Sequence, residues 1–277
     1  MPYLRVKIRT EDPQKLLAVL QSRDLNPLKA FSVPGENLFY LVYPSEDTHE
    51  LLRKLLRAIP WAEFEETELT EDLEVKPRRF RLGSLVFFSA LRPEASPSGE
   101  IYLRSSLSFG SGRHPTTRLC LKLMLKAFEE KRPEKVFDLG CGSGILSLAA
   151  ARLGAQRVLA ADIDPRACRE AKHNVEVNGL SDRILVAQGS LPAACPGTFD
   201  LVLANLTIGT ITALAPAIKE ALAPGGLAIL SGFSVAQKDE VLARIPRASV
   251  VAEAKQEGLL ALSLKFSGVD NIFPKLR

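Results

Sequence analysis

The chain has 277 residues, of which 46% are hydrophobic and 25% are charged, and its formal net charge is +4. This length allows one large domain, or a standard domain with a small companion, and the composition excludes a disordered, fibrous or disulfide-scaffold protein. The charge excess is too small to indicate nucleic acid as the main partner.

Residues 1–68 predict a small domain with the element order β-α-β-β-α-β, which is typical of the ferredoxin-like fold. Asp12 and Ser45 are placed as the N-caps of its two helices, and Pro34-Gly35-Glu36-Asn37 is a turn between its middle strands. The predicted strands lie near residues 3–8, 28–33, 38–43 and 62–69.

An acidic run follows at residues 63–74, where seven side chains are Asp or Glu. Two interpretations stay open: a solvated strand edge leading into a linker, or an electrostatic contact with a basic protein partner. Residues 69–99 are predicted to be this linker with β segments, one of them at residues 80–89.

Residues 100–277 predict the larger domain, because strands and helices alternate there as in an α/β doubly wound, mostly parallel sheet. The predicted helices lie near residues 115–130, 144–153, 165–178 and 210–222. The predicted strands lie near residues 135–139, 157–161, 183–187, 199–204 and 226–232.

A glycine loop follows the first of these strands in the sequence VFDLGCGSG at residues 136–144. Gly140, Gly142 and Gly144 allow a tight turn and a close approach of a ligand to the main chain. Their spacing differs from the glycine loops of dinucleotide folds and of phosphate loops. Asp138, just before the loop, suits a positively charged ligand group, such as the amino group of a methionine moiety.

A second carboxylate, Asp162, ends the next strand, 18 positions after Gly144. At that place in such a sheet, a carboxylate accepts hydrogen bonds from ribose hydroxyls, whereas Asp164 with Pro165 is typical of a helix cap. The combined pattern predicts a site for S-adenosylmethionine. A structural turn in a nucleotide-binding type of fold is the alternative.

Four blocks carry a family resemblance: FGSGRHPTT at 109–117, DLGCGSG at 138–144, DIDP at 162–165 and ANLT at 204–207. In this order they resemble class I methyltransferases with a Rossmann-like sheet, and more narrowly the PrmA family, which methylates ribosomal protein L-eleven. The resemblance is specific over about residues 100–235.

The resemblance implies an enzyme of two lobes, in which the N-terminal domain recognises the ribosomal protein and the larger domain methylates its amino groups. It also implies S-adenosylmethionine as cofactor. The expected cofactor-binding residues are Phe109, Thr116, Thr117, Asp138, Gly140, Gly142, Gly144, Asp162, Ile163 and Asn205.

Asn205 is the expected catalytic residue, because it follows a strand at the edge where α/β sheets bind ligands and can accept hydrogen bonds from an amine. The alternative is a turn residue. His114 is interpreted as a cap, with a catalytic base as alternative. Thr116 and Thr117 are interpreted as a helix cap that also contacts the cofactor, and Phe109 as a cover of the site or a core aromatic.

Residues 1–9 contain no unbroken apolar run, which predicts no secretory signal, and no stretch reaches the ~18 apolar residues of a membrane span. The four cysteines form no Cys-x-x-Cys pair, so without a secretory signal we expect reduced thiols in the cytoplasm. We expect no metal site, because none of the three histidines lies at ligand spacing from a cysteine, and we expect a monomer. Methylation of another protein or a small molecule, and an assembly factor without turnover, stay open as alternatives.

Overall fold

The structure is a computed structural model, and it describes residues 3–33, 37–70, 78–90, 99–104, 112, 114–190, 196–245 and 247–266. The chain divides into two compact units. The first contains Met1–Arg78 with two short later segments, and the second contains most of the chain from Arg79 onward.

The first unit is a four-stranded antiparallel sheet with two helices, and its strand order is β2-β3-β1-β4. This order confirms the predicted ferredoxin-like arrangement. Its elements are β1 (Tyr3–Arg9), α1 (Pro13–Ser22), β2 (Lys29–Val33), β3 (Leu38–Pro44), α2 (Thr48–Ala58) and β4 (Glu63–Thr70). The predicted turn at residues 34–37 lies outside the described residues except for Asn37.

The two helices of this unit start at aspartates. Asp12 accepts a hydrogen bond from the Lys15 amide at 2.9 Å, as predicted. The predicted cap Ser45 is wrong, because α2 begins at Thr48 and its cap is Asp47, which accepts from the Glu50 amide at 3.2 Å. Asp47 adopts a left-handed backbone with φ of 47°, a conformation that aspartate tolerates better than most residues.

The core of the unit lies between the helices and one face of the sheet. Alternate β1 residues, Leu4, Val6 and Ile8, pack there against leucines of both helices. Burying such a side chain contributes about 1.5–3 kcal/mol, so the period-two pattern of β1 determines which of its faces meets the helices.

The acidic side chains of β4 pair with the basic residues of β1. Glu65 contacts the Lys7 ammonium at 2.9 Å and the Arg9 guanidinium at 2.6 Å, and Glu68 contacts Arg5 at 2.9 Å. For these residues the acidic run is therefore an ion-pair network across neighbouring strands. Burial would raise the pKa of Glu65, but the hydrogen bonds and charges of Lys7 and Arg9 hold that pKa below its usual range.

We expect Glu65→Gln to lower the free energy of unfolding by about 3–5 kcal/mol, the cost of breaking a buried ion pair. The Lys7 side chain is 6% exposed and would lose its carboxylate. Because the folded-state pKa of Glu65 is lowered, its contribution is complete above the ordinary glutamate pKa and disappears as pH falls through the folded-state value. Urea unfolding at pH ~7 and ~3 should show a smaller difference in unfolding free energy between parent and variant at the lower pH.

Glu63→Gln is the matched control, because that side chain is 49% exposed and lies 3.9 Å from Arg9. Glu63→Gln should lower the free energy of unfolding by less than ~1 kcal/mol. Equal losses in the two variants would contradict the role given to Glu65.

The second part of the chain begins with a three-stranded sheet in the order β5-β6-β7, formed by β5 (Arg78–Leu82), β6 (Leu85–Ala90) and β7 (Ile101–Arg104). The single strand predicted at residues 80–89 is therefore two strands. Gly83 separates them with φ of 58°, a left-handed conformation that glycine adopts without a Cβ collision.

A seven-stranded sheet forms the centre of the second unit in the order β10-β9-β8-β11-β12-β14-β13. The first five strands are parallel to one another, and β14 is antiparallel to both of its neighbours, β12 and β13, which confirms the predicted doubly wound α/β sheet. Its strands are β8 (Lys135–Leu139), β9 (Arg157–Asp162), β10 (Ile184–Gln188), β11 (Phe199–Asn205), β12 (Leu222–Ser234), β13 (Ala248–Gln256) and β14 (Leu259–Phe266).

The helices of this unit are α3 (Pro115–Glu130), α4 (Ile145–Leu153), α5 (Pro165–Val177), α6 (Ile208–Ala221) and α7 (Lys238–Arg244). Helices α3, α4 and α5 cover what we call the first face of the sheet, whereas α6 and α7 pack on the second face. Alternating strand residues separate the two cores, as with Val136 on the first face and Phe137 on the second. The parallel strands thus end at a common carboxyl edge.

Candidate functional site

The glycine loop lies at the carboxyl edge between β8 and β9. The amides of Gly140 and Cys141 both donate to the Ala161 carbonyl, at 2.8 and 3.0 Å. Gly140, Gly142 and Gly144 have φ of 71°, 53° and 78°, in the left-handed region that favours glycine. The loop therefore keeps its main chain close to the end of β9, with no side chain at three of its positions.

Asp138 is buried beneath the loop and caps α4 from outside the helix. Its Oδ2 accepts hydrogen bonds from the amide and the hydroxyl of Ser147, at 3.0 and 2.6 Å. Gly144, the cap residue of α4 itself, offers no side chain for this purpose. The pKa of Asp138 is raised to about 6, because burial and the negative charge of Asp162 raise it by more than the Ser147 hydrogen bonds lower it. Asp138 therefore brings negative charge to the loop and orients the start of α4.

Asp162 anchors the loop from the opposite side. One carboxylate oxygen accepts from the Gly142 amide and the other from the Asp164 amide, each at 3.0 Å. Each carboxylate oxygen has a second lone pair, so the group can accept two further hydrogen bonds in a fixed orientation. Ile163, the next residue, is 75% exposed and provides an apolar surface beside the carboxylate.

Asp164 accepts a hydrogen bond from the Arg166 amide at 2.8 Å and is the cap of α5, which confirms its predicted role. The hydrogen bonds from Arg166 have the largest effect on the pKa of Asp164 and hold it below its usual range. Asp162 therefore anchors the glycine loop, whereas Asp164 caps α5.

Asn205 ends β11 and reaches α3. Its amide nitrogen donates to the Thr117 hydroxyl oxygen at 3.3 Å, which leaves the amide oxygen as the group that can accept from a ligand. Thr116 and Thr117 are buried in the first turn of α3. Their predicted role as the cap of that helix is wrong, because the cap is His114, whose Nδ1 accepts from the Thr116 amide at 3.4 Å.

A close main-chain contact supports the end of β11. Gly232 in β12 has φ of 107°, and a Cβ there would lie 2.7 Å from the carbonyl carbon of Leu206 and closer still to its oxygen. The Leu206 amide donates to the Ser231 carbonyl at 3.0 Å. Because Gly232 has no Cβ, the main chain at Leu206, directly after Asn205, can pass close against β12.

We expect Gly232→Ala to destabilise the protein more than Gly258→Ala. Both positions have positive φ, but nothing lies within 4 Å of a Cβ at Gly258. The left-handed conformation alone costs an alanine roughly 1–2 kcal/mol. The further loss of stability in Gly232→Ala, compared with Gly258→Ala, therefore measures the collision with Leu206. Thermal unfolding of both variants tests this, and equal midpoints would mean that the crossing adapts without cost.

The structure thus brings most predicted site residues to one edge of the sheet, whereas Phe109 lies outside the described residues. Sequence reasoning missed Ser147, because its partner Asp138 lies nine positions earlier and outside the helix. It also missed Asn174, which donates to the Ser143 carbonyl at 2.9 Å from α5 and supports the loop from below. Among the described residues, no group of His, Cys, Asp and Glu is arranged to hold a metal ion.

None of the helices in the described part of the chain has the length and apolar character that crossing a membrane requires.

Comparison with known proteins gives a family and a set of relatives. Residues 62–265 match the model of the family described as ribosomal protein L11 methyltransferase (PrmA). A ribosomal protein L11 methyltransferase of Pelotomaculum thermopropionicum is 46% identical over 160 residues, which is 57% of this chain and 51% of the relative. One of Brucella melitensis is 34% identical over 239 residues, covering 81% of this chain and 83% of the relative.

The chain spans about half the length of the first of these relatives, at 51%, and most of the second. Among solved structures, the ribosomal protein L11 methylase of Lactobacillus delbrueckii subsp. bulgaricus is similar, with 30% sequence identity and a TM-score of 0.58. That similarity covers 66% of this chain and 95% of the other.

Proposed function

Because this chain belongs to the family of ribosomal protein L11 methyltransferases (PrmA), we propose that it methylates amino groups of ribosomal protein L11 with S-adenosylmethionine as methyl donor. The observation that carries this proposal is the carboxyl edge of the sheet. There, Asp162 at the end of β9 holds a fixed carboxylate at 3.0 Å from the Gly142 amide, and Asn205 ends β11, on the other side of β8 in the same sheet.

The residues at this edge fit S-adenosylmethionine chemically. The loop from Gly140 to Gly144 presents main chain without side chains, the Asp162 carboxylate has free lone pairs for ribose hydroxyls, and Ile163 offers an apolar surface to an adenine ring. The negative charge of Asp138 suits the amino group of the methionine moiety. When bound, S-adenosylmethionine supplies an electrophilic methyl group on a sulfonium.

The chain's own task in this reaction is to hold a neutral amine in line with that methyl group. A lysine amine has an ordinary pKa of about 10.4, and removal from water beside a positive charge lowers it. The amide oxygen of Asn205 accepts a hydrogen bond from the amine and orients its lone pair. A new N–C bond forms as the S–C bond breaks, and the amine proton passes to water, so no further base is required.

We assign substrate recognition to residues 1–68, with residues 69–99 as linker and residues 100–277 as the catalytic domain. The separate core of the first unit supports this division. The same proposal makes the enzyme a cytoplasmic monomer whose partner is the ribosomal protein, with no sequence-specific contact to nucleic acid.

A truncated chain of residues 76–277 is therefore expected to bind S-adenosylmethionine with unchanged affinity and to lose methyl transfer to the protein substrate. Calorimetry measures the first property and incorporation of labelled methyl groups the second. Full-rate modification of L11 by the truncated chain would give residues 1–68 another task.

The proposed activity itself is tested with tritiated S-adenosylmethionine and purified L11 taken from a strain that lacks the enzyme. We expect label on the amino groups of L11 and none on L11 whose amines have been acetylated beforehand. Label on a different protein, or no transfer at all, would contradict the proposed substrate.

A further inference from the structure

The second face of the seven-stranded sheet is covered unevenly. Helix α6 packs over β11 and β12, and α7 packs against α6. The connection from β10 to β11, residues 189–198, contains no helix among its described residues. In doubly wound sheets, helices normally cover both faces, whereas the described helices of the second face lie over β11 and β12 rather than over β9 and β10.

An exposed leucine marks this uncovered area. Leu185 in β10 pairs with Leu159 in β9, which pairs with the buried Phe137 in β8. Because paired residues of parallel strands point to the same side, all three lie on the second face. Leu185 is nevertheless 67% exposed, so most of its apolar surface stays in contact with water.

A row of cations borders the leucines at the opposite end from the candidate site. Lys135 and Arg157 are paired first residues of β8 and β9, and alternation places both on the second face. Arg183 lies in the turn directly before β10. Like charges on neighbouring strands are unfavourable, and all three side chains belong to exposed residues.

Two carboxylates lie near this row. Asp200 accepts hydrogen bonds from the main-chain amides of Glu134 and Lys135, at 3.0 and 2.9 Å, and Asp182, which is 75% exposed, forms an ion pair with the Arg183 guanidinium at 4.0 Å. In the part of the chain that the structure describes, no ion pair is formed by Lys135 or Arg157.

We propose that these five residues, which we call the β9–β10 patch (Leu159, Leu185, Lys135, Arg157 and Arg183), dock an amphipathic acidic helix of another protein. Its apolar stripe covers the two leucines, and its carboxylates meet the cationic row. Single-stranded nucleic acid fits less well, because none of the five side chains is an aromatic on which a base can stack. The proposal does not depend on the methyltransferase activity.

The probe for this proposal is a fluorescent synthetic peptide of ~14 residues, with leucine at i, i+3, i+4 and i+7 and glutamate on the remaining face. Its binding to the full chain is measured by anisotropy, and the contact is located by amide chemical shifts. We expect shifts concentrated in β9 and β10. The double variant Arg157→Glu/Arg183→Glu and the variant Leu185→Ser should each weaken binding about tenfold or more.

The matched control is Lys126→Glu/Lys172→Glu, which reverses two exposed cations on the helices of the first face and should leave binding unchanged. Equal binding of a scrambled peptide, or shifts outside β9 and β10, would overturn the proposal. So would tighter binding of oligouridylate that needs the cations but tolerates Leu185→Ser, which would indicate nucleic acid. A dimer of the full chain in sedimentation that Leu185→Ser dissociates would make the occupant a second copy.

Discussion

Asp162→Ala is expected to weaken the binding of S-adenosylmethionine by about a hundredfold or more. The substitution removes two charge-assisted hydrogen bonds to the ribose, each worth about 1.5–3 kcal/mol, and a tenfold change in affinity corresponds to ~1.4 kcal/mol. It also frees the Gly142 and Asp164 amides that the carboxylate now holds at 3.0 Å, so the glycine loop loses its anchor. Calorimetric titration of the variant measures the effect.

Asp164→Ala is the matched control for this experiment. It removes a carboxylate two positions away whose partner is the Arg166 amide at the start of α5, and it makes the same change of charge. We expect it to lower stability by about 1 kcal/mol, the usual cost of losing a cap, with cofactor affinity within threefold of the parent. Unchanged affinity in Asp162→Ala, or equal losses in both variants, would assign ribose binding to another residue.

Local patterns predicted the parallel strands and the glycine loop, because each depends on residues that are neighbours in the chain. Hydrophobic runs near residues 135–139 and 157–161 are confirmed within one residue by β8 and β9. The predicted helix caps Asp12 and Asp164 are also confirmed, and the amides that donate to them lie within three positions of each aspartate. The same kind of pattern gave the wrong cap for α2, where Ser45 was predicted and Asp47, two positions later, is the cap.

Contacts between distant positions were beyond such reasoning. The hydrogen bond from Asn205 to Thr117 joins residues 88 positions apart, and the Gly232 contact with Leu206 depends on how β12 pairs beside β11. The pairing of Glu65 with Lys7 depends on the register of β4 against β1. The antiparallel strands β13 and β14, and α7 before them, were not predicted, although β14 lies next to β12 in the sheet.

Asn205→Ala is expected to slow single-turnover methylation by ~10²-fold or more, as when a group that positions a reactant is lost. The structure gives this residue one described partner, the Thr117 hydroxyl at 3.3 Å, and that bond is made by the amide nitrogen. The amide oxygen therefore remains for an amine, and its removal should affect the chemical step more than folding. Loss of the Thr117 bond costs roughly 1 kcal/mol, which lowers the melting temperature by only ~2–4 °C.

Thr117→Val is the companion variant, because it removes the acceptor that orients the Asn205 amide and leaves the amide oxygen in place. Its rate at saturating S-adenosylmethionine should fall less than that of Asn205→Ala, since an amide without its partner still samples the productive orientation. The comparison is made at saturating cofactor because Asn205 is also expected to contact the cofactor, and weaker binding would otherwise imitate slower chemistry. A rate for Asn205→Ala within threefold of the parent under these conditions would make Asn205 a turn residue, and the acceptor of the amine would then have to come from the main chain that follows β11.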